Sequence, residues 1–307
     1  MSAIEILPNL FFIQRGYLNA NHFVYRSEAP ILIDTGYISD FDTTSALITS
    51  LGIDLADVSL ILNTHTHCDH IGGNRFIQDI SGCDIALHRI GKQFIDTRDN
   101  WSTWWRYYKQ EADFFDCTVG LKDEDTVAMG PHKFQIIHTA GHAADGIVLY
   151  HRKSKILISS DTLWENDMAV MTLSVEGSQC LSLHLESLEK LSELEVLTVY
   201  PGHGRPFTNM ADAISKARLR TQIFLENREK LGKDLLKKII IYTILMHRSV
   251  KQDTFFEHLM ETLWFKETVD LYFDSAYEKI YDKIMLGLLA RGIVKRKGNR
   301  FHTIVKP

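Results

Sequence analysis

Proline is scarce in this chain of 307 residues, with 6 in all and none between Pro206 and Pro307. Nothing in that last stretch therefore interrupts helices through a missing N–H or a ring clash. Cysteine is scarcer still. The 4 present, Cys68, Cys83, Cys117 and Cys180, form no C-x-x-C pair. That excludes a disulfide framework and a thiolate zinc knuckle, and it predicts free thiols in a reducing compartment. Long apolar runs are also missing. No run approaches the roughly 20 residues that a membrane span needs, and the longest, Ile239 to Met246, directly follows Lys237 and Lys238. Met1-Ser2-Ala3-Ile4-Glu5 has neither the basic start nor the apolar stretch of a secretory leader. Together these absences predict a cytoplasmic protein with no membrane partner.

Hydrophobic residues make up 45% of the chain and charged residues 24%, with 16 Phe, 11 Tyr and 5 Trp to fill a core. That is ordinary globular composition. The length fits one large domain or a large and a small one. Net charge is −5, unevenly spread. Of 34 basic and 39 acidic side chains, 19 and 12 lie in residues 211–307, net +7, which leaves 15 and 27, net −12, in residues 1–210. The asymmetry hints at two domains, and the change of texture after Pro206 places their boundary near residue 210.

Short apolar runs dominate the first part. Ile31 to Asp34, Ser59 to Asn63, Phe134 to Thr139, Ile147 to Tyr150, Ile156 to Ile158 and Val196 to Tyr200 read as strands, most of them stopped by Gly or Pro-Gly. Helical spacing runs between them over Phe41 to Leu51 and over Leu181 to Leu191. Such mixing predicts a layered α/β arrangement. Residues 211 to about 290 read as some four helices with no good strand. Gly292 to Val305 then reads as a basic hairpin turning at Gly298-Asn299.

The densest chemistry is Thr64-His65-Thr66-His67-Cys68-Asp69-His70, just past an apolar strand. Three imidazoles and a carboxylate so close together repel when protonated and need partners when buried. A metal ion resolves both problems. Alternation along an extended loop points His65, His67 and Asp69 one way, and His70 turns off at the start of the next helix. His142, Asp161 and His203 each follow a predicted strand in the same manner, in Gly141-His142, Ser160-Asp161 and Pro201-Gly202-His203. Sites of layered α/β folds gather at such strand ends.

H-x-H-x-D-H, a lone G-H, a lone S-D and a P-G-H, in that order, resemble the ligand pattern of the metallo-β-lactamase superfamily. Asp34-Thr35-Gly36 also matches the family's early strand-turn. The resemblance implies an α+β fold, a four-layer αββα sandwich over residues 1–210. It implies that His65, His67 and His142 hold a first ion, that Asp69, His70 and His203 hold a second, and that Asp161 bridges them. A bridging hydroxide would be the nucleophile, and Asp69 would orient it or pass a proton to the leaving group. Asp34 would orient a ligand imidazole from outside. Two zinc ions fit this set, and iron or manganese fit it too. Ser160 and Ala140 depart from the family pattern, which has glycine and proline there in many members. Residues 211–307 resemble in arrangement the winged-helix tail of some β-lactamase-like RNA-cleaving enzymes.

Cys68 falls on a spacer position and reads as an inert thiol. The segment Trp101 to Phe115 holds seven aromatic residues, either a cap on the core or a lid over a substrate pocket. An acidic catalytic part does not attract polyanions, so the expected reaction is hydrolysis of an ester-like acyl bond in a small apolar molecule, a thioester, lactone or related ester. Cleavage of single-stranded RNA gripped by the basic tail is the rival expectation. A metal-holding sensor with little turnover is the third. A homodimer is also expected, from the aromatic and helical surface.

Overall fold

The computed structural model describes residues 3–307. One sheet has seven strands lying side by side in chain order: Ala3–Leu7, Leu10–Ile13, His22–Tyr25, Ile31–Ile33, Leu60–Leu62, Asp84–His88 and Val119–Leu121. The first four are antiparallel, and pairing is parallel from Ile31–Ile33 onward. The second sheet has five: Thr198–Pro201 at one edge, then Ile156–Ser160, Ile147–His151, His132–His138 and Thr126–Met129. Only its Ile156–Ser160 and Thr198–Pro201 pair is parallel.

Alternation of side chains builds the layers. Ile33, Leu62 and Ala86 of the first sheet meet Phe134, Ile136, Leu149 and Ile158 of the second in one buried cluster. Their neighbours Leu32, Ile61 and Ile85 point the other way, onto Ile48 and Ile77 of helices Phe41–Thr49 and Asn74–Ser81. On the far side Val148, Leu157 and Val199 receive Leu188 and Leu191 of helix Cys180–Ser192 and Ile214 and Ala217 of helix Met210–Glu226. The result is helices, sheet, sheet, helices, the expected αββα sandwich. Each fully buried aliphatic or aromatic side chain contributes about 1.5–3 kcal/mol to it.

Beyond residue 210 the helices are Met210–Glu226, Arg228–Met246, Phe255–Met260, Leu263–Phe273 and Tyr277–Ala290. Asn209 and Asn227 cap the first two, each accepting a bond from the backbone N–H three residues on. Strands Val294–Lys297 and Arg300–Thr303 form the expected hairpin, with Gly298 at φ 58° in its turn. A third strand, Val250–Lys251, pairs with Arg300–Thr303, where the sequence reading expected only helices. Two residues are too short to leave an alternation signal. This part does not stand apart. Leu235, Ile240, Tyr242 and Trp264 share one core with Tyr37, Ile61 and Trp105. The chain end also returns to the first part, where Tyr17 N donates to Lys306 O at 2.8 Å. Among the described residues no helix is long and apolar enough to cross a membrane.

Candidate metal centre

The carboxyl ends of the strands deliver every residue singled out in the motifs. Strand Leu60–Leu62 leads into the extended stretch Asn63–His67. That stretch ends earlier than alternation through Asp69 requires. His67 has extended φ/ψ and precedes a helical turn, Cys68–Ile71. Helical geometry therefore sends Cys68 into the core and brings Asp69 and His70 to the site. His142 follows strand His132–His138 across Gly141, whose φ of 145° few other residues adopt. Asp161 and His203 follow strands Ile156–Ser160 and Thr198–Pro201. Ser160 has a φ of 47°, in the left-handed region, which is why a glycine would sit there without strain. Its hydroxyl donates to Thr64 Oγ1 at 2.8 Å.

The seven side chains converge. Their ligand atoms fall into three overlapping groups: His65, His67 and His142; His65, His70 and Asp161; and Asp69, His70 and His203. Within each group the atoms lie inside 4.8 Å of one another. The outward nitrogens are committed elsewhere. His142 Nδ1 lies 2.6 Å from Val170 O and His203 Nδ1 lies 2.8 Å from Gly16 O. A carbonyl only accepts, so both Nδ1 atoms carry a proton and both Nε2 atoms face the site, that of His142 without a partner and that of His203 3.2 Å from Asp69 Oδ2. Asp34 accepts from Thr64 N, Thr64 Oγ1 and His70 Nδ1, each at 2.8 Å. The Nε2 atoms of His65, His67, His70 and His142 are buried with no hydrogen-bond partner.

Electrostatics agree with that geometry. Burial, then the neighbouring imidazoles, hold His65 and His67 well below the usual histidine range, so both are neutral at pH 7. Burial also lowers His142, against the pull of Asp161. At His70 burial is outweighed by Asp34, Asp69 and Asp161, which raise it. His203 is raised in the same way, by Asp161 and Asp69 against burial. Asp161 stays well below the usual carboxylate range despite burial, because His203, His70 and His142 surround it. Neutral imidazoles with orphaned nitrogens around ionised carboxylates suit a divalent cation, which would displace the protons these acids otherwise draw onto His70 and His203.

Residues 16–203 match the family model described as the metallo-beta-lactamase superfamily. The chain belongs to the metallo-beta-lactamase superfamily. A probable metallo-hydrolase of Bacillus subtilis (strain 168) is 25% identical over 227 residues, 63% of this chain and 70% of its own length. An acyl-coenzyme A thioesterase of Homo sapiens is 25% identical over 244 residues, 67% of this chain and 84% of its own. A hydroxyacylglutathione hydrolase of Maricaulis maris (strain MCS10) is 29% identical over 186 residues, 59% of this chain and 63% of its own. Among solved structures, a metallo-beta-lactamase family protein from Thermus thermophilus superposes with a TM-score of 0.63 at 18% identity, over 97% of this chain and 100% of its own. That likeness extends the shared fold past residue 210. This member of the superfamily is thus a metal-dependent hydrolase.

Several residues around the histidines left no signal in the sequence. Tyr17, Trp164, Lys238, Ile239 and Tyr242 line the pocket with His67, Asp69, His142, Asp161 and His203. Lys238 and Tyr242 come from helix Arg228–Met246, so the second part of the chain walls the site built by the first. Lys238 is buried and donates to Met168 O and Asp234 Oδ2, both at 2.6 Å. The aromatic segment is mostly core: Trp105, Tyr107, Tyr108 and Phe115 are buried. Trp104 reaches the site, its ring 3.9 Å from that of His67 and its Nε1 donating to Glu176 Oε1 at 2.6 Å. Cys68 is buried behind the pocket lining, where its thiol donates to Gln110 Oε1 at 3.1 Å. Burial, then Asp69, pushes its thiol well up, which keeps it unreactive.

Proposed function

We propose that this superfamily member hydrolyses an acyl ester bond, a thioester in the first instance, with two metal ions held by the seven side chains. His65, His67 and His142 would hold one ion, Asp69, His70 and His203 the other, with Asp161 between them. Zinc suits the imidazole-rich set, and iron or manganese are alternatives to be separated by metal analysis. Bound, the ions would lower the pKa of water towards ~7 and polarise the scissile carbonyl.

The remaining work falls to the chain's own groups. Asp69 would orient the attacking water or pass its proton to the leaving group, a reading supported by its position in the pocket lining. Asp34 keeps His70 turned inward. Trp104, Trp164, Val170 and Ile239 make the walls apolar and exclude bulk water. The observation that carries an acyl substrate is this aromatic wall against His67. It offers an acyl chain an apolar surface beside the histidines. Two relatives named as thioester hydrolases, the acyl-coenzyme A and hydroxyacylglutathione enzymes, support the same reading.

The test sets acyl thioesters and lactones beside a single-stranded RNA, with metal content determined and His67→Ala as the blank. Thioester turnover that disappears in the variant is the expected result. RNA cleavage that disappears in it, without acyl turnover, would overturn the proposal. Metal occupancy with no turnover on any substrate would point to a sensor.

A further inference from the structure

The free space at the histidines is about 50 Å³. That accommodates a reacting carbonyl but not the group from which it is cleaved. A second cavity of about 520 Å³ lies next door, and Tyr17 and Lys238 line both. Its walls come from distant parts of the chain: Arg220, Asp234, Lys237, Ile241 and Arg291 among them. Four cations, Arg220, Lys237, Lys238 and Arg291, face two carboxylates, Asp167 and Asp234. The carboxylates are already engaged. Asp234 pairs with Lys238 at 2.6 Å, and Asp167 pairs with Lys238 at 3.2 Å and with Arg220. Lys237 and Arg291 have no carboxylate partner among the described residues, and they repel one another. Burial first, then Arg291, lowers Lys237. Both cations line the cavity beside the apolar Ile241, Leu288 and Ile293, and charge-assisted bonds from such groups suit a carboxylate or phosphate. All four cations belong to residues 211–307, the part of the chain with net charge +7.

We infer that the cavity is a subsite for the anionic part of the substrate, a phosphate or carboxylate on the thiol carrier, bound by Lys237 and Arg291 while the acyl group lies across Tyr17 at the histidines. The inference rests on the thioester reading above.

The experiment separates the two. Binding is measured by calorimetry with S-methyl-coenzyme A, S-methylglutathione and the neutral S-methyl-N-acetylcysteamine. None has a cleavable acyl bond, so the result does not depend on turnover. The proteins are the full chain and its Lys237→Gln/Arg291→Gln variant, with unchanged circular dichroism as the control for folding. The expected outcome is that one anionic carrier binds at least about tenfold more weakly to the variant, as loss of charge-assisted bonds implies, with a smaller effect on the neutral probe. Loss for coenzyme A identifies a phosphate, and loss for glutathione a carboxylate. Equal affinity in both proteins, no binding of either anionic carrier to the unmodified chain, or tighter binding of a single-stranded RNA lost in the same variant would overturn the inference. Failure of the thioester reading shows separately, as absent hydrolysis of neutral and anionic thioesters alike.

Discussion

At the scale of single residues, the site depends on groups that never touch a substrate. Asp34 accepts from Thr64 N, Thr64 Oγ1 and His70 Nδ1, and the last of these orients His70. Asp34→Ala should lower metal affinity about 10- to 100-fold, as loss of an orienting partner does. Metal content after dialysis against a weak chelator checks this, and full retention would deny Asp34 that role. Gly202 is as constrained, because a Cβ there would overlap Asp161 Oδ1. Gly202→Ala should therefore displace Asp161 and reduce the metal bound, with less effect on the fold. A variant that keeps both metal and melting temperature would refute this. His65, His67 and Asp69 were legible from spacing alone because the motif is contiguous. Tyr17 and Tyr242 were not, since an isolated tyrosine carries no pattern and only the packing brings these two rings within 6.4 Å.

At the scale of elements, the strand ends and the aromatic segment set the pocket. Trp104 is 3% exposed and lies between His67 and Glu176. Trp104→Ala should cost about 3–5 kcal/mol in denaturant unfolding and open the site to water, with a fall in acyl turnover. An unchanged midpoint would show that the ring is dispensable. The partner of Trp104 adds a pH dependence. Burial pushes Glu176 from 4.5 up to about 8. Between those values the unfolded chain loses this proton before the folded one does, so stability falls as pH rises through the window. Glu176→Gln removes that loss, and the variant should gain on the unmodified protein from pH 4.5 to 8. A pH-independent difference would mean that the carboxyl is not held protonated. The strands flanking the motifs were readable as apolar runs. Val250–Lys251 was not, and neither was the early end of the extended stretch at His67. Both are decided by pairing and helix geometry and not by composition.

At the scale of the whole molecule, metal and fold are coupled. Four buried Nε2 atoms without partners leave the metal-free state less stable than the loaded one. Stripping with a chelator should lower the melting temperature, and adding zinc should restore it by mass action. A melting temperature indifferent to metal would count against the seven residues as ligands. The two parts of the chain are coupled as well, since Leu235, Ile240 and Trp264 complete the core around Tyr37 and Trp105. Residues 1–210 alone should therefore fail to give a cooperative unfolding transition. A fragment with one would show that the charge boundary is also a folding boundary.

By itself the sequence determined the layered fold, the order of the ligand-bearing loops and the chemistry of the seven side chains. Each of these is written locally, in alternation, in turn residues and in the contiguous His-x-His-x-Asp-His. Tertiary structure alone decided that helix Arg228–Met246 walls the site, that Lys238 is buried against Met168 and Asp234, and that Lys237 and Arg291 face one cavity. These residues are brought together from far along the chain by burial of a shared core, and no local pattern records a contact of that kind.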